Sequence, residues 1–202
     1  KVDICPQGKG SGIVFELSSH NLKTHDLTYD DFIAKGTFKN NVLNLENLLL
    51  KEDAEKTGTG YIRADGTVDI AQKVLDVHAS AMEANPRIVN IAMKEPLKLK
   101  GYMNMDAVVT GTFDNPSAVA TLDLSNGSLS DISFDKVSVA AKLENDTIYV
   151  EKMDATRDIY GLYAKGFIPL DAVRARNDRK NADAEMNLTL NMDNTELGVL
   201  TA

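Results

Sequence analysis

The chain has 202 residues with 22 Lys or Arg against 30 Asp or Glu, a formal net charge of −8, which disfavours a nucleic-acid binder that needs a basic face. The single cysteine, Cys5, excludes an internal disulfide framework. No apolar stretch approaches the roughly 18 residues that a membrane-spanning helix requires.

Along most of the chain, apolar and polar residues alternate with a period of two, which is typical of antiparallel strands with one solvated face. The longest run begins at Leu97 and places Lys, Tyr, Asn and Asp between its apolar members. In chain order the alternating sets are Ile13/Phe15/Leu17, Leu43/Leu45, Leu75/Val77/Ala79, Leu97/Leu99/Met103/Met105/Ala107, Ala118/Ala120/Leu122/Leu124, Val137/Val139/Ala141/Leu143, Ile148/Val150, Tyr160/Leu162/Ala164 and Met186/Leu188/Leu190/Met192. These sets predict an all-β fold.

Turn-forming residues separate several of these runs. Asn40-Asn41 and Asn145-Asp146 each lie between two alternating runs, where a hairpin needs residues that tolerate positive φ. Ala64-Asp65-Gly66 and Leu124-Ser125-Asn126-Gly127 carry the same chemistry and are predicted to be turns as well.

One segment breaks the alternation. Asn85-Pro86 supplies an N-cap followed by proline at the first helical position, and apolar residues follow at helical spacing. Glu95-Pro96 ends that pattern, so we expect a short helix near 86–93. Residues 193–200 have the composition of the start of an equivalent element.

The sequence contains an internal repeat. Residues 26–30 (DLTYD) superpose on residues 131–135 (DISFD) at an offset of 105, and one inserted residue later 60–62 match 166–168. Repetition on this scale indicates an array of units that stack on their neighbours. We therefore expect a first β repeat unit over 1–105, including the short helix, and a second over 106–202, as one continuous array excised from a longer chain.

The stretch from Leu97 to Leu129 resembles the repeats of TamB-like proteins, which belong to the AsmA-like group of bridge-like lipid transfer proteins. The residues that carry the resemblance are Gly111-Thr112-Phe113-Asp114-Asn115-Pro116 between strands, the amphipathic strand 118–124, Asn126-Gly127 and Ile132-Ser133-Phe134-Asp135. The resemblance covers about residues 60–200, and the internal repeat joins the first sixty residues to it.

The resemblance implies a long antiparallel, strongly curved sheet, a half-pipe or β-taco, with an apolar concave face. It implies a non-enzymatic segment of a periplasm-spanning protein that shields phospholipid acyl chains between the inner and outer membranes and supports outer-membrane biogenesis. The implied partner of the parent chain is an Omp85-type (TamA-like) outer-membrane barrel, and the implied inner-membrane anchor lies outside this chain. The expected groove lining comprises Phe15, Leu17, Leu43, Leu45, Leu75, Val77, Leu97, Leu99, Met103, Met105, Ala120, Leu122, Leu124, Val139, Ala141, Leu143, Ile148, Val150, Leu162, Leu188 and Leu190.

The residue types on the apolar side favour a groove over a filled core. Alanine and methionine are frequent there, whereas large aromatic residues are few. Small side chains leave space, and methionine adapts to irregular apolar partners.

No constellation of residues supports catalysis, a metal site or a cofactor. His20, His25 and His78 are isolated from one another in the sequence, and no paired-cysteine spacing is present. Cys5 has no base partner. We interpret the basic cluster at 174–180 as a polar hairpin loop, and we expect no enzyme and no nucleic-acid partner.

Two further expectations remain open. The alternative function is that of a closed β-sandwich or β-helix module for surface adhesion or glycan binding, which needs exposed aromatic residues on a polar face. Its candidate residues are Tyr61, Tyr102, Tyr149 and Tyr163. Because uncovered strand edges pair with other chains, we also expect the chain to self-associate through its strand edges.

Overall fold

The computed structural model describes residues 2–6, 12–24, 27–52, 59–92, 98–173 and 185–193. Within them, twelve strands form a single antiparallel sheet whose spatial order follows the sequence from β1 to β12. The strands are β1 (Val2–Pro6), β2 (Ile13–Thr24), β3 (Leu27–Lys39), β4 (Val42–Glu52), β5 (Tyr61–Asp69), β6 (Val74–Ala84), β7 (Leu99–Thr112), β8 (Pro116–Leu129), β9 (Ile132–Glu144), β10 (Thr147–Arg157), β11 (Tyr160–Pro169) and β12 (Asn187–Asp193). The sheet stays open, and the prediction of a long all-β antiparallel sheet is confirmed.

Two tight hairpins form where the sequence predicts them. Asn40 and Asn41 adopt φ values of 50° and 65° between β3 and β4, and Asn145 and Asp146 adopt 50° and 55° between β9 and β10. Positive φ at both central residues matches the right-handed twist of the flanking strands. These residues therefore connect neighbouring strands in the shortest way available.

The other two predicted turns are wrong. Ala64-Asp65-Gly66 lies inside β5, where Gly66 has a φ of 140° and a Cβ there would collide with the carbonyl oxygen of Asp76. Leu124-Ser125-Asn126-Gly127 lies inside β8 at a register shift, a β-bulge that Asn126 accommodates with a φ of 49°. In both places, residues that are common in turns lie within a strand instead: Gly66 allows the neighbouring strand to approach closely, and Asn126 allows a β-bulge.

The predicted short helix is confirmed, and it is wound as a 3-10 helix over Pro86–Ala92. Asn85 caps its start, since its Oδ1 accepts a hydrogen bond from the Arg87 backbone N–H at 3.1 Å and its carbonyl accepts one from the Ile88 N–H at 3.2 Å. A single turn of α-helix, α1 (Leu170–Val173), follows β11 and was not predicted. Residue 93 and residues 194–200 lie outside the described residues.

The internal repeat recurs in the backbone. β9 and β10 begin and end 105 residues after β3 and β4. The register shift between Leu45 and Leu48 in β4 recurs between Val150 and Met153 in β10. The residue division between 105 and 106 falls inside β7 (Leu99–Thr112), so the two units share one continuous sheet.

Beyond β4 the predicted repeat alignment is wrong. Leu45 pairs with Gly66, and its equivalent Val150 pairs with Gly166. Gly66, rather than Gly60, therefore occupies the position of Gly166. The physical reason is the connection after β4, which is longer than the two-residue turn that joins β10 to β11.

The most deeply buried apolar cluster of the described residues sits on one face of the sheet, near one end of the central strands. It consists of Ala81, Ala84, Leu99, Met103 and Leu124. Ile88 and Val89 of the 3-10 helix pack against it, so this helix covers one part of an otherwise single-layered sheet.

Candidate functional site

Register aligns the apolar positions of the strands on one face of the sheet, which we call the apolar face. Residues that oppose each other in antiparallel strands project from the same face. One such row crosses the sheet from β2 to β12 as Leu17, Ala34, Leu48, Ala64, Ala79, Ala107, Ala120, Ala141, Val150, Gly166 and Leu188. The opposite surface, which we call the polar face, carries the charged and hydroxyl side chains.

The centre of the apolar face is lined by small side chains. From β5 to β9 five strands in succession place alanine in the row: Ala64, Ala79, Ala107, Ala120 and Ala141. The adjacent rows carry larger side chains, which include Met105, Leu122, Val139 and Met153 on one side and Val77, Val109, Leu143 and Ile148 on the other. The apolar face therefore has a furrow that runs across the strands.

All the expected lining residues within the described part of the chain lie on this face, but Leu99, Met103 and Leu124 are at most 7% exposed because they belong to the cluster packed against the 3-10 helix. The expected lining residues run from Phe15 and Leu17 in β2 to Leu188 and Leu190 in β12, while Leu97 lies outside the described residues. Sequence reasoning missed several members of the face, namely Leu48, Leu50, Ile62, Ala64, Val109, Met153 and Ile168. For Leu48, Leu50 and Met153, the bulges in β4 and β10 shift the alternation by one residue, and that change of phase was the available signal.

No second sheet lies over the apolar face in the described residues. Each strand packs chiefly against the strands before and after it, and the 3-10 helix packs on β7. Most side chains of the face are half-buried, as Leu43, Leu122 and Val139 illustrate. A sheet of this many twisted strands curls, and its bulges increase the local bend.

A polar pair interrupts the apolar face beside the 3-10 helix. Glu52 and Tyr29 oppose each other across β4 and β3 and are 1% and 0% exposed. Glu52 Oε1 accepts a hydrogen bond from the Asn85 backbone N–H at 2.6 Å, whereas Glu52 Oε2 and the Tyr29 hydroxyl have no hydrogen-bond partner among the described residues. Burial raises the pKa of Glu52, against the opposing effects of the Asn85 hydrogen bond and the Arg87 charge.

The polar face carries ion pairs exposed to solvent. His78 Nε2 lies 2.8 Å from Asp106 Oδ2, and His78 Nδ1 lies 3.6 Å from Asp65 Oδ1. The hydrogen bond to Asp106 is the main cause of a raised His78 pKa. His20 Nδ1 lies 2.7 Å from Asp31 Oδ1. Within the described part of the chain, no three His, Cys, Asp or Glu side chains are placed to hold a metal ion.

Aromatic residues on the polar face correspond to the alternative function. Tyr102, Tyr149 and Tyr163 are 51%, 37% and 41% exposed. Tyr149 opposes Phe167 across β10 and β11, and the Lys142 ammonium lies 5.5 Å from its ring centre. A nearby depression of about 180 Å³ is smaller than the roughly 300–1,000 Å³ of small-molecule pockets.

Comparison of the chain with family models, curated proteins and solved structures finds no match. Across the described ranges, none of the helices has both the length and the apolar character needed to cross a bilayer.

Proposed function

We propose that the chain is a non-enzymatic segment of a periplasm-spanning TamB/AsmA-like protein. Its apolar face shields phospholipid acyl chains during transport between the inner and outer membranes and supports outer-membrane biogenesis. In this proposal the parent chain is anchored in the inner membrane and engages an Omp85-type (TamA-like) barrel. The supporting observation is the apolar face, which continues across the sheet without a second layer in the described residues.

The dimensions of the sheet suit an acyl chain. At about 4.8 Å between neighbouring strands, the twelve strands span roughly 50 Å. The alanine furrow itself extends over the five strands β5 to β9, or roughly 19 Å. The hydrocarbon core of a bilayer is about 30 Å thick and holds two leaflets, so the furrow matches the length of about one extended acyl chain, and the longer apolar face has room for others beside it.

Binding of an acyl chain to the apolar face does not require specific polar contacts. Removing one methylene from water is worth about 0.8 kcal/mol, so an acyl chain gains affinity from length alone. A lining of alanine with flexible Met105 and Met153 accepts saturated and kinked chains alike. Meanwhile the polar face, with its exposed ion pairs, remains in water.

A second candidate is glycan binding on the polar face. A closed sandwich is excluded for the described residues because their strands form one open sheet. The exposed Tyr149–Phe167 pair beside Lys142 nevertheless supplies an aromatic platform for sugar stacking. Loss of glycan-array binding on Tyr149→Ala, with lipid content unchanged, would favour this function.

Native mass spectrometry of the chain purified without detergent, followed by organic extraction, tests the proposed lipid function. We expect phospholipid to co-purify with the wild-type chain and to fall at least fivefold in Leu122→Asp and Met105→Asp, because a carboxylate on the apolar face is costly to bury against acyl chains. The matched control is Val119→Asp, which places the same charge on the polar face of β8 at a side chain that is 62% exposed.

Two outcomes would contradict the proposed function. One is a stable, monodisperse wild-type chain that contains no lipid. The other is loss of lipid from Val119→Asp to the same extent as from Leu122→Asp, since the effect would then come from charge rather than from the apolar face.

A further inference from the structure

The dipeptide Asn126-Gly127 lies in the β-bulge of β8. On the side of β7, these two residues together oppose the single residue Gly101. Asn126 is exposed to solvent, and the described registers of β8 with β7 and β9 give it no partner of its own. The bulge therefore presents this dipeptide to water.

The geometry of the bulge favours these two residue types. Asn126 adopts a φ of 49°, which asparagine and aspartate accept more readily than other residues with a side chain. A Cβ at Gly127 would collide with the carbonyl oxygen of Lys100 and with the ring of Phe134, so the close approach of these groups requires glycine. The two constraints together favour asparagine followed by glycine at an exposed site.

An asparagine followed by glycine is chemically labile. The backbone nitrogen of the second residue can attack the side-chain amide carbon of the asparagine, and glycine places no side chain beside that nitrogen. The attack forms a new N–C bond and closes a cyclic imide. The bond from the same carbon to the side-chain nitrogen breaks, and that nitrogen leaves as ammonia with the proton of the backbone N–H. Water then opens the imide at either carbonyl to give aspartate or isoaspartate.

We propose that Asn126 is a site of spontaneous deamidation through this imide, and that the conversion loosens the adjoining end of β8. The net reaction consumes one water and releases one ammonia. The product adds a negative charge to a chain that carries −8. In isoaspartate the main chain runs through the former side chain, which inserts an extra carbon after position 126. This inference stands on the bulge and does not depend on the proposed lipid function.

The extra carbon would lie beside the buried cluster. Leu124, two residues before Asn126, belongs to that cluster, and Phe134 of β9 pairs with Gly127 and packs against it. A longer main chain at this point shifts the residues that follow it out of register with β9. We therefore expect hydrogen exchange in residues 125–134 to rise at least tenfold in the converted chain.

The first repeat supplies a matched control in the same molecule. Asn21 of β2 is the equivalent of Asn126 at the offset of 105, is also exposed, and has a φ of 54°. The register with β3 likewise pairs His20 and Leu22 and omits Asn21. The side chain of Leu22 hinders attack by its own backbone nitrogen. We expect Asn126 to deamidate at least tenfold faster than Asn21 in the same sample.

Incubation of the folded wild-type chain at mildly alkaline pH, followed by peptide-mapping mass spectrometry, measures both rates. Electron-transfer fragmentation distinguishes aspartate from isoaspartate, and we expect both because the imide opens at either carbonyl. Asn126→Gly is the control variant, since glycine accepts the positive φ and has no amide to lose. It should lack the acidic form that accumulates in the wild type on isoelectric focusing. Hydrogen-exchange mass spectrometry of that acidic form, after separation by ion exchange, measures the loosening.

Four outcomes would overturn the proposal. Equal rates at Asn126 and Asn21 would mean that the glycine has no effect in the folded chain. Conversion of Asn126 in urea but not in the folded chain would show that the bulge protects the site. Aspartate as the sole product would exclude the imide. Unchanged hydrogen exchange in the converted chain would exclude the loosening of β8.

Discussion

Glu52 has the least expected environment of the described residues, because a carboxyl group lies 1% exposed on a face that is otherwise apolar. One of its oxygens accepts the Asn85 backbone N–H and so ties the start of the 3-10 helix to β4. Burial raises its pKa above the usual 4.5, since the charged form loses its hydration. The folded protein therefore retains this proton at a pH where the unfolded chain has released it.

The sign of the Glu52 effect on stability follows. Protonated Glu52 contributes fully to the free energy of unfolding below the unfolded-state pKa of about 4.5. This contribution is lost as the pH rises through the higher pKa of the folded state. Glu52→Gln keeps an acceptor for Asn85 without ionising, so its free energy of unfolding should decline less between pH 4.5 and 8. Urea unfolding followed by circular dichroism measures this. Glu52→Ala, which loses the hydrogen bond, should be less stable than the wild type by about 1–3 kcal/mol at pH 4.5, and the difference should shrink towards pH 8, where the wild type carries the buried charge.

His78 also lowers the free energy of unfolding as the pH rises, because Asp106 raises the pKa of His78 in the folded protein. The Glu52→Gln variant keeps this decline, since it leaves His78 unchanged. Parallel pH profiles for the wild-type chain and Glu52→Gln would show that Glu52 does not titrate differently in the two states.

The 3-10 helix packs against part of the apolar face, at the buried cluster of β6, β7 and β8. Its Ile88 and Val89 pack against the cluster that contains Ala84 and Met103, and Asn85 holds its first turn. A helix of seven residues has little stability of its own. Its position therefore depends on that packing and on Glu52.

We expect Val89→Asp to release the 3-10 helix from β7. The substitution removes apolar burial worth about 1.5–3 kcal/mol, so hydrogen exchange should rise at least tenfold in residues 86–92 and in the neighbouring half of β7. Hydrogen-exchange mass spectrometry measures this, with Val108→Asp on the polar face of β7 as the control. An unchanged exchange rate in Val89→Asp, or an equal rise in both variants, would contradict the docking.

At the scale of the whole molecule, each strand is stabilised chiefly by the strands beside it. The stability of such a molecule approximates a sum over neighbouring pairs instead of a single global value. The buried cluster joins residues of β6, β7 and β8, whereas β12 is exposed along its whole length.

We therefore expect a gradient of local stability along the sheet. Hydrogen exchange should show the strongest protection in β7 and β8 and protection at least a hundredfold weaker in β12. One shared exchange free energy for all the described strands would show that the sheet unfolds as a single cooperative unit.

Several features were predictable because they depend on local geometry. Period-two alternation assigned Phe15, Leu122 and Leu190 to one face, since successive side chains of a strand point to opposite sides. Asn40-Asn41 indicated its hairpin because few residues accept positive φ. Asn85-Pro86 indicated the start of the 3-10 helix in the same local way.

Other features depended on residues distant in sequence. Gly66 carries the same turn chemistry as a hairpin loop, and its pairing with Leu45 of β4 and Val77 of β6 places it within a strand. The Asp76 carbonyl leaves no room there for a Cβ. Glu52 gives no sign of burial in the sequence, because its environment comes from Tyr29 in β3 and from the 3-10 helix beyond β6.

The sequence by itself determined that this protein is an alternating β-chain with one apolar side, a repeat offset of 105 and a short helix. Only the tertiary structure decided that the described strands pair strictly in sequence order and that β-bulges keep the apolar side chains on one face where the alternation shifts by one residue. The physical reason is that periodicity arises from the geometry of neighbouring residues. The register of the strands and the burial of the apolar face arise instead from hydrogen bonds and packing between segments that are far apart along the chain.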